Sequence, residues 1–257
     1  YFPGPDVWSG TGPVPSSGIS QPPVAASLAR RVYEIYPVLG AERLRPLYRN
    51  FLDWHRWFME WRLDHGAVCI THPWEAGRDN APEWDEALAR IQPRDLPPYQ
   101  RRDTGHVDPS MRPTKEEYDR YLWLVLQGNS CGWDQAKLLE DNPFRIADPT
   151  MTFTLLRACR DLLWIGSELG LDTSEIPGWI ATLEGGAETL WNSELGSYDA
   201  RDARKGGFAG CISNASVLCW YAGTPADSML THYRRIMCKV PHGFPSHDPD
   251  IPLFEPK

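Results

Sequence analysis

His72-Pro73-Trp74-Glu75-Ala76-Gly77-Arg78-Asp79-Asn80-Ala81-Pro82-Glu83-Trp84-Asp85 is the stretch from which the chain is best read. Its fourteen residues hold two tryptophans, four acids, one arginine, one histidine and one glycine. Indole faces beside carboxylates suit a sugar, whose C–H face lies on the ring while its hydroxyls donate to carboxylate oxygens. Two prolines and a glycine make the first part a loop, the place where functional side chains concentrate on a rigid scaffold. Residue types alone equally allow a plain surface loop before a helix, with Asp79 or Asn80 as turn or N-cap.

Working outward, residues 41–65 read as one long helix with Pro46 in its first turn or at a kink. Leu44, Leu47, Tyr48, Phe51, Leu52, His55, Phe58, Met59 and Arg62 recur at helical spacing on one face. Trp54, Trp57 and Trp61 form a second row, so both faces are expected to be largely buried, and His55 to be a core histidine. Further helices are predicted over 24–36, 82–91, 114–127, 149–169, 176–191, 211–221 and 224–237. Thr114 to Glu117 is a capping box. Asp148-Pro149 supplies an N-cap and first turn, and Gly170 a stop. Gly185-Gly186 weakens the helix that holds it, and residues 195–207 read as a short hairpin. About eight helices with almost no strand make an all-α chain forming one domain over 1–257. The loop 92–113 carries Arg101, Arg102, His106 and Arg112, and loops this long are commonly functional.

A net charge of −8 excludes a nucleic-acid surface, which needs a basic excess. No apolar run reaches membrane-spanning length, and no secretory signal pattern opens the chain. Six scattered cysteines without a Cys-x-x-Cys pair favour reduced, buried thiols and a cytoplasmic protein. Asn214-Ala215-Ser216 has the form of a glycosylation acceptor but falls in an apolar helical run. The seven histidines show no metal-ligand spacing, so neither metal nor cofactor is expected.

The loop around Asp79 resembles the general-acid motif of glycoside hydrolase family 63, above all of its bacterial mannosylglycerate and glucosylglycerate hydrolases. Their pattern reads His-Pro-Trp-Glu-Ser-Gly-x-Asp-Asn-Ser; here Ala76 and Ala81 replace the two serines, small for small. Gly18-Ile19-Ser20-Gln21-Pro22-Pro23 matches a second string of that family, whose Gln helps hold the sugar. Arg112-Pro113-Thr114-Lys115-Glu116-Glu117-Tyr118 matches a third, whose Arg and Tyr grip the glycerate carboxylate. Read from residues alone, Gln21 is equally a solvated loop amide, and Arg112 the partner of a surface acid.

The resemblance implies an (α/α)6 toroid of the six-hairpin glycosidase type, incomplete at both ends. It implies inverting hydrolysis of a small α-glycoside, glucosylglycerate or mannosylglycerate, with Asp79 as general acid. Gln21, Trp74, Glu75, Gly77, Asn80, Arg112 and Tyr118 would bind substrate, Glu75 either at a sugar hydroxyl or as a supporting group. Arg78 carries no role. In the family the base is a Glu beyond a string that follows a segment like 243–254, so it is expected outside this chain. Asp85, Asp248 and Asp250 have no motif to make them substitutes. An α-glucosidase or trehalase-type hydrolase of a neutral substrate, or a non-catalytic sugar-binding protein on the same scaffold, are the alternatives. The expected partner is a small carbohydrate, with no nucleic acid or membrane, and a homo-oligomer is left open.

Overall fold

The computed structural model describes residues 17–101, 108, 112–224 and 226–251. Arg102, His106 and Pro225 lie outside them. The frame is mostly helical: α1 (Ala25–Ile35), α2 (Pro37–Trp61), α3 (Asp85–Ala89), α4 (Lys115–Ser130), α5 (Gln135–Asp141), α6 (Pro149–Leu169), α7 (Ile176–Glu188), α8 (Leu218–Ala222) and α9 (Met229–Met237).

Helix α6 is the centre. Its residues 149–156 are buried without a break, because α1, α2, α7 and α8 cover it from several sides. A helix apolar most of the way round has to be enclosed in this way. Both of its ends follow the sequence signals. The Asp148 carboxylate accepts from the Met151 N–H, and Gly170 leaves the helix at φ +60°.

Helix α2 starts at Pro37, four residues before the expected position, and keeps Pro46 inside it. Its inner face is buried at Leu44, Tyr48, His55 and Phe58. The expectation of two buried faces is corrected: Trp54, Trp57 and Trp61 are only half-buried, and Leu47 is exposed. The helix also stops at Trp61, short of residue 65. His65 and Gly66 have φ of 49° and 83°, the two positive values of a tight hairpin turn. That turn joins β1 (Leu63–Asp64) to β2 (Ala67–Ile70).

Strands were not anticipated here. β2 also pairs with β3 (Ile146–Ala147), which pairs with β6 (Arg201–Asp202), giving the order β1-β2-β3-β6. All four residues of β2 are buried. Gly186 explains how the sheet sits so close to α7: a Cβ there would lie 2.0 Å from the Gly66 carbonyl carbon. Its glycine serves a backbone-to-backbone approach rather than merely weakening the helix. The predicted hairpin is shifted: β4 (Trp191–Asn192) pairs with β5 (Ser197–Tyr198), while β6 joins the larger sheet.

The helix expected over 211–221 is only α8. Ser216 Oγ accepts from the Ser213 N–H, and Ser213 Oγ from the Ala215 N–H. Such local side-chain bonds compete with helix formation and hold 213–216 as a turn. Among the described residues, no helix is long and apolar enough to cross a membrane.

Candidate active site

Buried β2 delivers the chain straight into the loop 71–84, and three anchors fix its path. The first is Glu75, 1% exposed against Arg62 at 2%. Its Oε2 accepts from Arg62 Nη1 at 2.8 Å and from the Thr71 N–H at 2.7 Å, and its Oε1 accepts from the Ser20 N–H at 2.9 Å. Burial pushes this carboxyl up, but Arg62 and the two backbone amides outweigh it and hold the group below the usual range. Glu75 therefore faces the interior and ties the loop to α2 and to residue 20.

The second anchor is His72. Its Nδ1 accepts from the Trp74 N–H at 3.1 Å, which leaves Nε2–H to donate to the Tyr121 carbonyl at 3.0 Å. Burial lowers its pKa to about 4, so the ring is neutral and this tautomer is fixed.

The third is Arg78, for which the sequence offered no role. Its Nη1 donates to Glu83 Oε1 at 2.6 Å and to Ser213 Oγ at 3.1 Å, and its Nη2 to Asp148 Oδ1 at 3.1 Å. The guanidinium lies 4.9 Å from the Trp84 ring centroid, and the Trp84 indole N–H donates to the Arg78 carbonyl. Arg78 thus joins the loop to the N-terminus of α6 and to the 213–216 turn. Gly77, exposed at φ +68°, makes the reversal between the Glu75 and Arg78 anchors.

Held between these anchors, Asp79 is half-buried, and its pKa is raised by burial against an opposing pull from Arg112. Asn80 beside it is exposed, with Oδ1 3.4 Å from the Tyr121 hydroxyl. A raised carboxyl is what a proton donor near neutral pH requires.

Around the loop runs a row of aromatic rings. Trp74 lies 4.5 Å from His72, 6.1 Å from Tyr121 and 6.4 Å from Tyr118, centroid to centroid. Tyr118 stacks on Tyr99 at 5.8 Å, and the Arg101 guanidinium sits 4.5 Å from the Tyr118 ring centroid. Arg101 also donates to the Pro113 carbonyl, next to Arg112. The capping box that starts α4 forms as expected: Thr114 Oγ1 accepts from the Glu117 N–H, and the Glu117 carboxylate from the Thr114 N–H. It places Tyr118 in the first turn of α4. Gln21 is exposed and donates from Nε2 to the Trp74 carbonyl at 3.0 Å.

Of the residues singled out in the sequence, Gln21, Trp74, Asp79, Asn80, Arg112 and Tyr118 come together, whereas Glu75 points into the core. Arg62, Arg78 and Tyr121 escaped the sequence reading. Tyr121 follows Tyr118 by one helical turn and so shares its face. Arg62, on an apolar helix face, needed a buried carboxylate partner. His55 is 0% exposed, with its pKa lowered to about 4 by burial and Nδ1 3.4 Å from Cys159 Sγ. Asp248 is paired with Arg235, and Asp250 with Arg235 and Lys239. All six cysteines are free; Cys69, Cys159, Cys211 and Cys219 are buried, while Cys238 is exposed. Among the described residues no group of His, Cys, Asp or Glu is arranged to hold a metal ion.

A helical scaffold that offers a raised carboxyl beside aromatic faces has what a helical glycoside hydrolase domain requires. The model of the mannosylglycerate hydrolase MGH1-like glycoside hydrolase domain matches residues 3–257, and the chain belongs to that family. Mannosylglycerate hydrolase MGH2 of Selaginella moellendorffii is 42% identical, over 99% of this chain and 54% of that protein. Glucosylglycerate hydrolase of Mycolicibacterium hassiacum is 34% identical, over 79% of this chain and 49% of that protein. The crystal structure of the GH63 mannosylglycerate hydrolase from Thermus thermophilus with Tris and D-glycerate superposes with a TM-score of 0.93 at 41% identity. That match covers 100% of this chain and 63% of the solved one. The motif resemblance to family 63 and the (α/α)6 glycosidase architecture agree with these neighbours. The chain spans about half to two thirds of the length of these relatives.

Proposed function

We propose that this chain carries the acid half of an inverting glycosidase that hydrolyses an α-glycoside of glycerate, mannosylglycerate or glucosylglycerate. The observation that carries the reading is Asp79: a half-buried carboxyl with a raised pKa, on a loop pinned at Glu75, His72 and Arg78. In this mechanism one carboxyl protonates the leaving oxygen, and a second, about 6.5–9.5 Å away, activates water on the opposite face. Asp79 donates the proton, and its burial keeps it protonated closer to neutral pH than an ordinary aspartate.

Trp74 gives a sugar an apolar face, with the Gln21 amide oxygen and Asn80 beside it for hydroxyls. Glu75 acts behind them as a supporting group. On the leaving-group side, Arg112 and the Tyr118 hydroxyl suit a carboxylate, which a guanidinium can grip with two parallel hydrogen bonds. Arg101, stacked on Tyr118, adds positive charge to the same side and favours an acidic aglycone over a neutral one. No described residue is assigned as the water-activating base: Asp248 and Asp250 are taken up in ion pairs, and no motif supports Asp85.

Proton NMR of the full-length protein with each glycoside tests the assignment. The expected result is release of one sugar as the inverted anomer, with Asp79→Asn slowing it at least about a hundredfold. Release as the retained anomer, or undiminished turnover by Asp79→Asn, would overturn it.

A further inference from the structure

Tyr121 touches the acid loop at two points. Its side chain is buried, 2% exposed, one turn along α4 from Tyr118. Its hydroxyl donates to the backbone carbonyl of Asp79 at 3.0 Å. Its own backbone carbonyl accepts from His72 Nε2–H, and the Nδ1 of that ring accepts the Trp74 N–H. Its ring meets Trp74 edge to face at 67°. One residue of a rigid helix therefore fixes the loop at 72–74 and again at 79.

The hydroxyl bonds to the peptide of Asp79 and not to its carboxyl. A bond donated to the carboxylate would stabilise the ionised form, lower the pKa and leave less of the protonated group near neutral pH. A bond to the carbonyl fixes the residue's backbone and leaves the carboxyl its proton. Arg112 and Glu117 face this hydroxyl from α4 and the segment before it, Asp85 from α3, and Asp79 from the loop. Its shorter hydrogen bond goes to the Asp79 carbonyl, and a longer one, at 3.4 Å, reaches Asn80 Oδ1.

We infer that Tyr121 is a positioning residue for the general acid: its hydroxyl clamps the Asp79 peptide so that the carboxyl stays aimed at the leaving oxygen. The inference rests on the reading of Asp79 as that acid. Aim matters because misplacement of a reacting group by about 1 Å can cost two orders of magnitude.

Tyr121→Phe removes one oxygen and keeps the ring packing. The full-length variant is assayed on the glycerate glycoside and on the corresponding α-glycosyl fluoride, whose fluoride departs without being protonated. On the glycerate glycoside, kcat is expected to fall about tenfold, as for one buried hydrogen bond whose acceptor is left unsatisfied, with KM within about twofold. Fluoride hydrolysis stays at the parent rate. A variant that is merely misshapen loses both activities together, and that result, or an unchanged kcat on the glycoside, overturns the inference. Asp79→Asn is measured alongside. If it spares fluoride and loses the glycoside, the acid reading stands and the Tyr121 result is decisive. If it shows no such selectivity, the acid reading itself has failed.

Discussion

Removing Glu75 is predicted to damage the fold more than its place in a surface-facing loop implies. Arg62 and Glu75 are 2% and 1% exposed, and Glu75 serves four donors: Arg62 Nη1, the Thr71 N–H and hydroxyl, and the Ser20 amide. Glu75→Ala leaves Arg62 charged and buried, and Nε and Nη2 of that guanidinium already find no protein acceptor. Deleting one partner of a buried pair costs about 3–5 kcal/mol. At roughly 2–4 °C per kcal/mol for a domain of this size, Tm should fall by about 6–20 °C. Thermal unfolding followed by far-ultraviolet circular dichroism measures this. The double variant Arg62→Met/Glu75→Leu removes both charges, so it should be more stable than Glu75→Ala although it changes more atoms. The pH dependence has a fixed sign. The folded pKa of Glu75 lies below its ordinary 4.5, so the pair's contribution is full above that value. It is lost as pH falls through the lower folded value. A fall in Tm of less than about 3 °C for Glu75→Ala, or a double variant worse than the single, would refute the argument.

Arg112→Ala should raise KM for a glycerate glycoside by about 10- to 100-fold, the worth of a lost charged hydrogen bond, and leave a neutral-aglycone substrate unaffected. Steady-state kinetics on the two substrates decide it; equal effects would remove Arg112 from the carboxylate site. His55 and His72 are both held neutral by burial, with pKa values lowered from 6.5 to about 4. The unfolded chain binds more protons between those values, so stability should fall as pH drops from about 6.5 to about 4 and level off below. Replacing His55 with Phe should flatten part of that slope in a series of Tm measurements across the range.

How much of this was legible depended on how local the cause is. The capping box at Thr114, the N-cap at Asp148 and the stop at Gly170 are short-range hydrogen-bond and φ requirements, so helices α4 and α6 could be bounded from the letters. The same holds for the loop around Asp79, where proline and glycine leave only the short 3-10 turns at Pro73–Glu75 and Pro82–Trp84. The end of α2 was missed although its cause is local, because His65-Gly66 is a weak turn signal inside a helical pattern. The turn at 213–216 was missed because serine side-chain bonds there outcompete an apolar helical pattern.

The sequence by itself determined a mostly helical chain and its main helices, and its resemblance to a family named Gln21, Asp79, Arg112 and Tyr118 as candidates. The tertiary structure decided which side chains those residues lean on. The partners lie far apart along the chain: Arg62 with Glu75, Arg78 with Asp148 and Ser213, and Tyr121 with Asp79. A buried charge or hydroxyl must find its partner wherever the packing brings one. That requirement is visible in a sequence as a need, and only the folded chain shows what fills it.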